Sequence, residues 1–213
     1  MKKYESGKKI NEKANGGAKF QWNEFDERKV EDVSNINKIT IYSDFVDVNV
    51  FASRSSSVEA HLHGKAATDG RILFELKVVK DELIIEGKIL GNICCNRNLI
   101  LDVMVPEKIF EDISFRVEDA DIFLSEGISN INLDIVNKCG DVESKATFTN
   151  LLVNVNGNVK IYVDSFNDKN VDINVTGGTI SIHSKGKLRL FNTKKYKINM
   201  QENDNENGVI IKS

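Results

Sequence analysis

The stretch that decides the fold runs from Ile113 to Met200 and reads ISFRVEDADIFLSEGISNINLDIVNKCGDVESKATFTNLLVNVNGNVKIYVDSFNDKNVDINVTGGTISIHSKGKLRLFNTKKYKINM. Apolar residues alternate with polar ones in four triplets, which are Ile113, Phe115 and Val117; Ile131, Leu133 and Ile135; Leu151, Val153 and Val155; and Val171, Ile173 and Val175. The triplets follow one another at steps of 18, 20 and 20 residues. Alternation predicts strands with one buried face, and recurrence at a fixed period predicts that these strands stack in layers.

Each triplet is followed by a turn and a second short apolar run. The turns are rich in Gly and Asn, as in 156–158 and 176–179, because these residues tolerate positive φ. A layer of about 20 residues at about 3.3 Å per residue has a perimeter of about 60–65 Å, which suits two sheets about 10 Å apart. The expected fold is therefore all-β, a single-stranded β-helix or β-solenoid with two strands in each layer of about 20 residues.

The remaining sequence divides around this stretch. In chain order the predicted segments are a flexible arm (1–19), one β-solenoid domain (20–200) with irregular layers in 20–106 and regular ones in 107–200, and a polar tail (201–213) in which Val209–Ile211 can add a last strand. Two alternating runs within 72–85 enclose a polar turn and predict a β-hairpin in the N-terminal half. Residues 91–98 are predicted to be a connection.

Composition excludes several classes of function. The 29 basic and 32 acidic residues are well mixed and give a net charge of −3, so a nucleic-acid partner is not expected. The basic residues near the N-terminus are not followed by an apolar run, and no stretch of about 20 apolar residues occurs, so we expect no signal peptide, no integral membrane segment and a cytoplasmic location. Three cysteines, two of them adjacent, predict neither a disulfide framework nor a zinc site, and no cofactor is expected.

Four residues are candidates for a binding or catalytic role. Asp119, Asp121 and Asp141 are predicted to gather near one corner, where carboxylates could serve a polysaccharide-active enzyme. Acids at such corners more commonly solvate turns, so the non-catalytic interpretation is preferred. Trp22 stands in an aromatic cluster with Phe20 and Phe25, which predicts a plug over the first layer rather than a stacking platform for a ligand.

The His-x-His pair of His61 and His63 is a further motif. Two histidines at a spacing of two project from the same face of a strand and can chelate a metal ion. A third ligand is needed, and none stands near them in sequence, so an exposed polar face is the favoured interpretation.

The residues also carry a family resemblance. The segment 41–48 (IYSDFVDV), the strand ending in Val105-Pro106 and the corner Gly140-Asp141-Val142 resemble a bacterial family named "putative adhesin", whose members are β-strand repeat domains. The resemblance spans roughly residues 36–200. It implies a β-solenoid, often in envelope-associated or stress-linked proteins of Gram-positive bacteria, without an established enzymatic site.

Three functions follow for testing. The preferred one is a non-catalytic, adhesin-like interaction or scaffold domain that binds a protein partner through a long sheet face, supported by outward polar residues such as Asn132, Asp134 and Asp172. The alternative to a cytoplasmic location is association with the cell envelope through that partner. The alternatives are a polysaccharide-active enzyme and a self-assembling protein in which Trp22 and 209–211 make the contacts.

Overall fold

The computed structural model describes residues 21–68, 71–91, 93–107, 110–129, 131–163, 170–184, 195–201 and 209–212. In this part of the chain every regular element is a strand, and no helix long and apolar enough to cross a bilayer is found. The strands are β1 (Gln21–Asp32), β2 (Lys38–Asp44), β3 (Asp47–Ser53), β4 (Ser57–Thr68), β5 (Arg71–Val79), β6 (Glu82–Leu90), β7 (Ile93–Pro106), β8 (Asp112–Glu118), β9 (Ile122–Leu124), β10 (Ile131–Asn137), β11 (Val142–Ser144), β12 (Phe148–Asn156), β13 (Val159–Val163), β14 (Asn170–Thr176), β15 (Ile180–Ser184), β16 (Lys195–Gln201) and β17 (Val209–Lys212).

The strands form two mixed sheets. One has nine strands in the order β1-β4-β7-β3-β9-β11-β13-β15-β17, and the other has eight in the order β16-β14-β12-β10-β8-β2-β6-β5. From β8 onward, successive strands alternate between the two sheets, and each pairs in parallel with the strand two elements later. The all-β prediction is confirmed.

The N-terminal part contains the antiparallel pairs. The predicted hairpin is present as β5 and β6, which pair from Arg71 opposite Leu90 to Val79 opposite Glu82. The prediction that 91–98 forms a connection is wrong, because β7 begins at Ile93 and pairs antiparallel with β4. Strand pairing uses backbone groups, so it can include a polar segment that shows no apolar alternation.

The core lies between the sheets and combines the inward residues of both, for example Ile113 and Leu133 from the eight-stranded sheet and Ile122 from the nine-stranded one. Its register differs from the prediction. Leu133 lies opposite Ile113, and Leu151 lies opposite Leu133, so the steps are 20, 18 and 20 residues rather than 18, 20 and 20.

A buried polar residue explains this difference. Asn137 occupies the last inward position of β10, opposite Val117, and is 2% exposed. Apolar alternation cannot recognise such a position, so the sequence pattern placed the triplet two residues too early. Asn137 Nδ2 donates to the carbonyl of Ala120 at 2.8 Å, and its Oδ1 accepts from Cys139 N at 3.2 Å. These bonds satisfy both ends of the amide and offset its burial.

Successive layers touch through their backbones at the turn that follows each strand of the eight-stranded sheet. A Cβ at Gly157 would lie 2.2 Å from the carbonyl oxygen of Gly140, and a Cβ at Gly178 would lie 2.0 Å from that of Gly157. Gly157 also has a φ of 151°, which other residues rarely adopt. The close approach of the layers therefore requires glycine here.

Candidate functional site

The corner acids form a ladder of hydrogen bonds from layer to layer. Asp47 Oδ1 accepts from Asp121 N at 3.0 Å, and Asp121 Oδ1 accepts from Asp141 N at 2.8 Å. Asp141 Oδ1 accepts from Asn158 N at 2.8 Å, and Asn158 Oδ1 accepts from Thr179 N at 3.0 Å. Each side-chain oxygen thus satisfies a backbone N–H of an adjacent layer, and that N–H belongs to a residue later in the sequence. We call this series the corner ladder.

The corner ladder determines what the predicted acids do. Asp121 and Asp141 are brought together as neighbouring members, whereas Asp119 lies in the preceding turn with a φ of 49°. A carboxylate that accepts a backbone N–H orients a turn, in the manner of side-chain caps elsewhere in proteins. This geometry supports the interpretation that the acids serve the turns, and a catalytic role has no further support from it.

Trp22 lies in β1, the outermost strand of the nine-stranded sheet, and is half-buried opposite Ala67 of β4. Phe25 of the same strand packs against the core. Phe20, the third ring of the predicted plug, lies outside the described residues. β1 therefore covers the edge of β4 as a paired strand, with Phe25 as its inward anchor.

The outer face of the eight-stranded sheet carries the polar residues expected to face outward. The register aligns Lys38, Glu82, Asp112, Asn132 and Asn150 in one row. A second row, one pleat further along, contains Thr40, Ile84, Ser114, Asp134, Leu152 and Asp172. The predicted outward residues Asn132, Asp134 and Asp172 thus lie on one surface.

A groove of about 590 Å³ follows these two rows across six strands, β6, β2, β8, β10, β12 and β14. We call it the sheet groove. Its polar side chains hold one another in place: Asn150 Nδ2 donates to Asn132 Oδ1 at 2.5 Å, and Asn132 Nδ2 donates to Asp112 Oδ1 at 2.9 Å. Since the side chains stand on paired strands, the surface is already organised for a ligand.

The sheet groove is acidic. One basic residue, Lys38, lines it together with four acidic ones, Glu82, Asp112, Asp134 and Asp172. Lys38 lies 3.6 Å from Asp112, and Arg116 pairs with Asp134, which leaves Glu82 and Asp172 as the acidic excess. The charge of this surface favours a cationic ligand.

Two features limit the acidic surface. At the edge of the sheet groove, Asp134 pairs with Arg116 at 2.5 Å. Within the groove, Leu152 of β12 is 39% exposed and adds an apolar side chain. Beyond Arg116 lies a second cavity of about 410 Å³, whose lining includes Tyr42, Lys88 and Lys138 and has mixed charge. The acidic excess is therefore confined to the sheet groove.

The outer face of the nine-stranded sheet carries aromatic rings instead. Phe51 and Phe123 lie with centroids 6.0 Å apart, and Tyr162 stacks on His183 at 4.7 Å. The Lys145 ammonium lies 5.3 Å from the Phe123 centroid and 5.6 Å from that of Tyr162, so it connects the two pairs. We call these four rings the aromatic strip.

The structure also brings a third potential ligand to the two histidines. His61 and His63 project from β4 beside Asp102 of β7, and His63 Nε2 lies 2.9 Å from Asp102 Oδ2. The expectation of a merely polar face is therefore incomplete, since the missing residue stands 39 positions further along the chain. On the other side, the hydrogen bond between Asp26 and His61 lowers the pKa of the Asp26 carboxyl.

Sequence reasoning missed the residues that long-range pairing supplies. Asp102 reaches the histidines because β4 and β7 are antiparallel neighbours. Lys38 and Glu82 join the sheet groove because β2 lies beside β8 and β6 lies on the other side of β2. Acidic residues at alternate positions of several apolar strands were a usable signal for the groove. No local signal connected Asp102 to the His-x-His pair.

The fold is similar to that of one solved bacterial protein, and two further solved structures match with lower TM-scores. A "putative cell adhesion protein" of Clostridium sporogenes has 12% identity and a TM-score of 0.50, with 88% of this chain and 93% of that chain covered. A "putative adhesin" of Parabacteroides merdae has 11% identity and a TM-score of 0.36, with 87% and 93% covered. Another "putative adhesin", from Bacteroides fragilis, has 11% identity and a TM-score of 0.36, with 88% and 96% covered.

Sequence comparison adds no closer relative. No protein-family model matches the chain, and no curated protein matches it. At 12% identity the similarity to the Clostridium protein shows a shared fold. The resemblance to bacterial adhesins is thus supported at the level of fold.

Proposed function

We propose that this chain is a non-catalytic, adhesin-like β-solenoid domain that binds a protein partner through its sheet groove. The observation that carries the proposal is the acidic, hydrogen-bonded surface that extends across six strands of the eight-stranded sheet. Asp121 and Asp141, two of the three acids considered for catalysis, accept backbone hydrogen bonds instead. The chain therefore presents an extended binding surface rather than a reaction centre.

The solenoid assignment rests on three regularities. Strands alternate between the sheets from β8 onward, the parallel neighbours β8, β10, β12 and β14 follow one another at steps of 20, 18 and 20 residues, and the turns between the sheets stack through the glycines at 140, 157 and 178. Each layer then contacts the layers before and after it, as repeat architectures do. A stack of this kind gives a long and stiff outer face.

The groove fits an extended, Lys- or Arg-rich segment of a partner protein. Six strands about 4.8 Å apart span about 24 Å, which equals about seven residues of extended chain. Carboxylates of Glu82 and Asp172 would pair with basic side chains, and the exposed Leu152 offers one apolar contact. Attraction between opposite charges would give fast association that weakens with salt.

Fluorescence polarisation with labelled peptides of equal length tests the proposal. We expect a Lys-rich peptide to bind, and a Glu-rich peptide and a Ser/Gly-rich peptide not to bind. Glu82→Gln and Asp172→Asn remove charge at nearly constant shape, and we expect the double variant to weaken binding at least 10-fold. Raising the salt concentration should weaken binding to the wild-type chain more than to the variant, because fewer charge pairs remain in the variant.

The matched control is Glu143→Gln, which removes one carboxylate from the opposite sheet, where Glu143 pairs with Lys160. It should bind the Lys-rich peptide as the wild type does. Equal binding of all three peptides, or equal affinity of the Glu82/Asp172 double variant and wild type, would refute the groove as the binding surface. If the peptides bind as expected, a lysate pull-down that compares the wild type with the same variants would identify the natural partner.

The aromatic strip favours a second candidate function, binding of a polysaccharide without cleavage. Partly exposed rings on neighbouring strands provide flat apolar surfaces with polar groups beside them, which sugar rings require. Tyr162→Ser should abolish retention on immobilised bacterial cell-wall polysaccharide, whereas Asp172→Asn should not. Retention that is the same for Tyr162→Ser and wild type would exclude this surface.

The cellular location remains a prediction. A cytoplasmic protein and a protein recruited to the envelope by its partner are both consistent with the groove. Fractionation of the native host, with immunoblotting of cytoplasm and envelope, distinguishes them.

A further inference from the structure

Three potential metal ligands meet on the outer face of the nine-stranded sheet. His61 and His63 come from β4, Asp102 comes from β7, and one ligand atom of each lies within 4.8 Å of the others. The side chains of His61 and His63 are 19% and 32% exposed, and that of Asp102 is 26% exposed. They are thus held against the sheet while remaining accessible to a dissolved ion.

We propose that His61, His63 and Asp102 bind a divalent transition-metal ion of the Zn²⁺ class. Two imidazoles and one carboxylate are a ligand set that suits zinc and its neighbours, and hard ions such as Mg²⁺ prefer oxygen ligands alone. Three protein ligands leave a fourth position of a tetrahedral ion for water or for a group from a partner.

Two further residues already hold the ligands in the required manner. Asp26 Oδ1 lies 2.6 Å from His61 Nε2, so a proton on Nε2 leaves the lone pair of Nδ1 for an ion. Asn49 Nδ2 donates to Asp102 Oδ1 at 2.9 Å, and Asp102 Oδ2 faces His63. Hydrogen bonds of this kind orient metal ligands and raise their affinity.

The distances require only small movements. Ligand atoms about 2.0–2.1 Å from a tetrahedral ion lie about 3.4 Å apart. In the structure the three ligand atoms lie within 4.8 Å of one another. The His63 to Asp102 distance of 2.9 Å is already shorter than this value, so the ion would separate that pair slightly and draw His61 inward. Rotation of the three side chains suffices for this adjustment. The backbone can stay in place, because β4 and β7, which carry these side chains, are paired.

The neighbouring charges permit a cation. Arg28 of β1 lies opposite His61, and it is paired with Glu59 at 2.9 Å. Asp26 and Asp102 place two carboxylates against the two imidazoles. A divalent ion would therefore enter a site whose acidic groups balance its charge.

Titration of the chain with Co²⁺ and Zn²⁺ tests this proposal. The chain should carry no polyhistidine tag, since such a tag binds the same ions. We expect one Co²⁺ per chain with d–d absorption bands of a four-coordinate site, and displacement of that Co²⁺ by one equivalent of Zn²⁺. Isothermal titration calorimetry then gives the Zn²⁺ affinity of each variant.

The three histidines of the chain provide a matched control. His63→Ala and Asp102→Asn should each weaken Zn²⁺ binding at least 100-fold, and Asp26→Asn should weaken it 10- to 100-fold as loss of an orienting partner does. His183→Ala removes a histidine outside the cluster and should bind as the wild type does. A Cys139→Ser variant excludes binding by the exposed thiol.

Circular dichroism confirms that each variant is folded. If His63→Ala fails to fold, His63→Gln replaces it, because glutamine keeps a hydrogen-bonding side chain at this position. The proposal is overturned by the absence of stoichiometric Co²⁺ binding to the wild-type chain, or by Zn²⁺ affinities of His63→Ala and His183→Ala that are equal.

Discussion

Replacing Gly157 by alanine is the sharpest test of how the layers stack. Gly157 follows β12, and the place where a Cβ would stand is 2.2 Å from the carbonyl oxygen of Gly140 and 3.3 Å from Asp141 Oδ1. The first contact is with backbone, which cannot rotate away as a side chain can. The substituted residue would also have to keep a φ of 151° or move.

The expected cost follows from these two effects. Holding a non-glycine residue in this backbone region costs about 1–3 kcal/mol. Removing the steric overlap requires a shift of about 1 Å, since such atoms normally stay more than about 3 Å apart. That shift weakens the hydrogen bonds from Gly140 N to Asn156 O and from Gly157 N to Thr176 O, each worth about 1 kcal/mol. We expect a total near 3 kcal/mol, which lowers the Tm of a chain of this length by about 6–12 °C.

Thermal unfolding followed by circular dichroism measures the change. The control is Gly87→Ala, because Gly87 has no positive φ and its added Cβ would lie 3.3 Å from the end of the Leu101 side chain, which can adjust. Gly87→Ala should shift the Tm by less than about 3 °C, as expected for a change of under about 1 kcal/mol. A Tm for Gly157→Ala within that same range would refute direct backbone contact between the layers.

Three further predictions concern single side chains. Asn137→Ala should lower the free energy of unfolding by about 1–3 kcal/mol in urea titration, because it removes the amide that bonds to the Ala120 carbonyl at a buried position and to the Cys139 N–H. Asp141→Ala should lower the Tm without changing the affinity for Lys-rich peptides, since the residue orients a turn away from the sheet groove; a change in affinity would contradict this. Lys77 lowers the pKa of Glu75 by hydrogen bonding, so this pair contributes stability above the unfolded pKa of Glu75 and loses it as pH falls through the folded pKa. NMR titration should show the Glu75 pKa rising toward its ordinary value in Lys77→Met, and an unchanged pKa would contradict the pairing.

The general architecture was predictable because alternation and period are local properties of the sequence. Leu151, Val153 and Val155 report the inward face of β12 without any knowledge of its neighbours. Register was less accessible, since Asn137 is inward and polar, and its partners become visible only when Ala120 is placed beside it. Buried polar residues therefore mislead a pattern that equates inward with apolar.

The candidate sites were less predictable than the fold, because they depend on pairing between distant strands. The His-x-His motif is local, but Asp102 joins it only through the antiparallel pairing of β4 with β7. The sheet groove likewise depends on β2 pairing with β8 and β6 pairing with β2, although both strands precede β8 by many residues. Of the three corner acids grouped by sequence, the structure joins Asp121 and Asp141 by a hydrogen bond, whereas Asp119 lies in the preceding turn.

The corner ladder has a direction, and this bears on how the chain folds during synthesis. In each step the acceptor is a side chain of an earlier layer, and the donor is a backbone N–H of a layer made later. A segment leaving the ribosome would thus find its hydrogen-bond acceptor already in place, about 20 residues behind it. We expect the chain to fold from its N-terminal to its C-terminal end, with each finished layer serving as the template for the next.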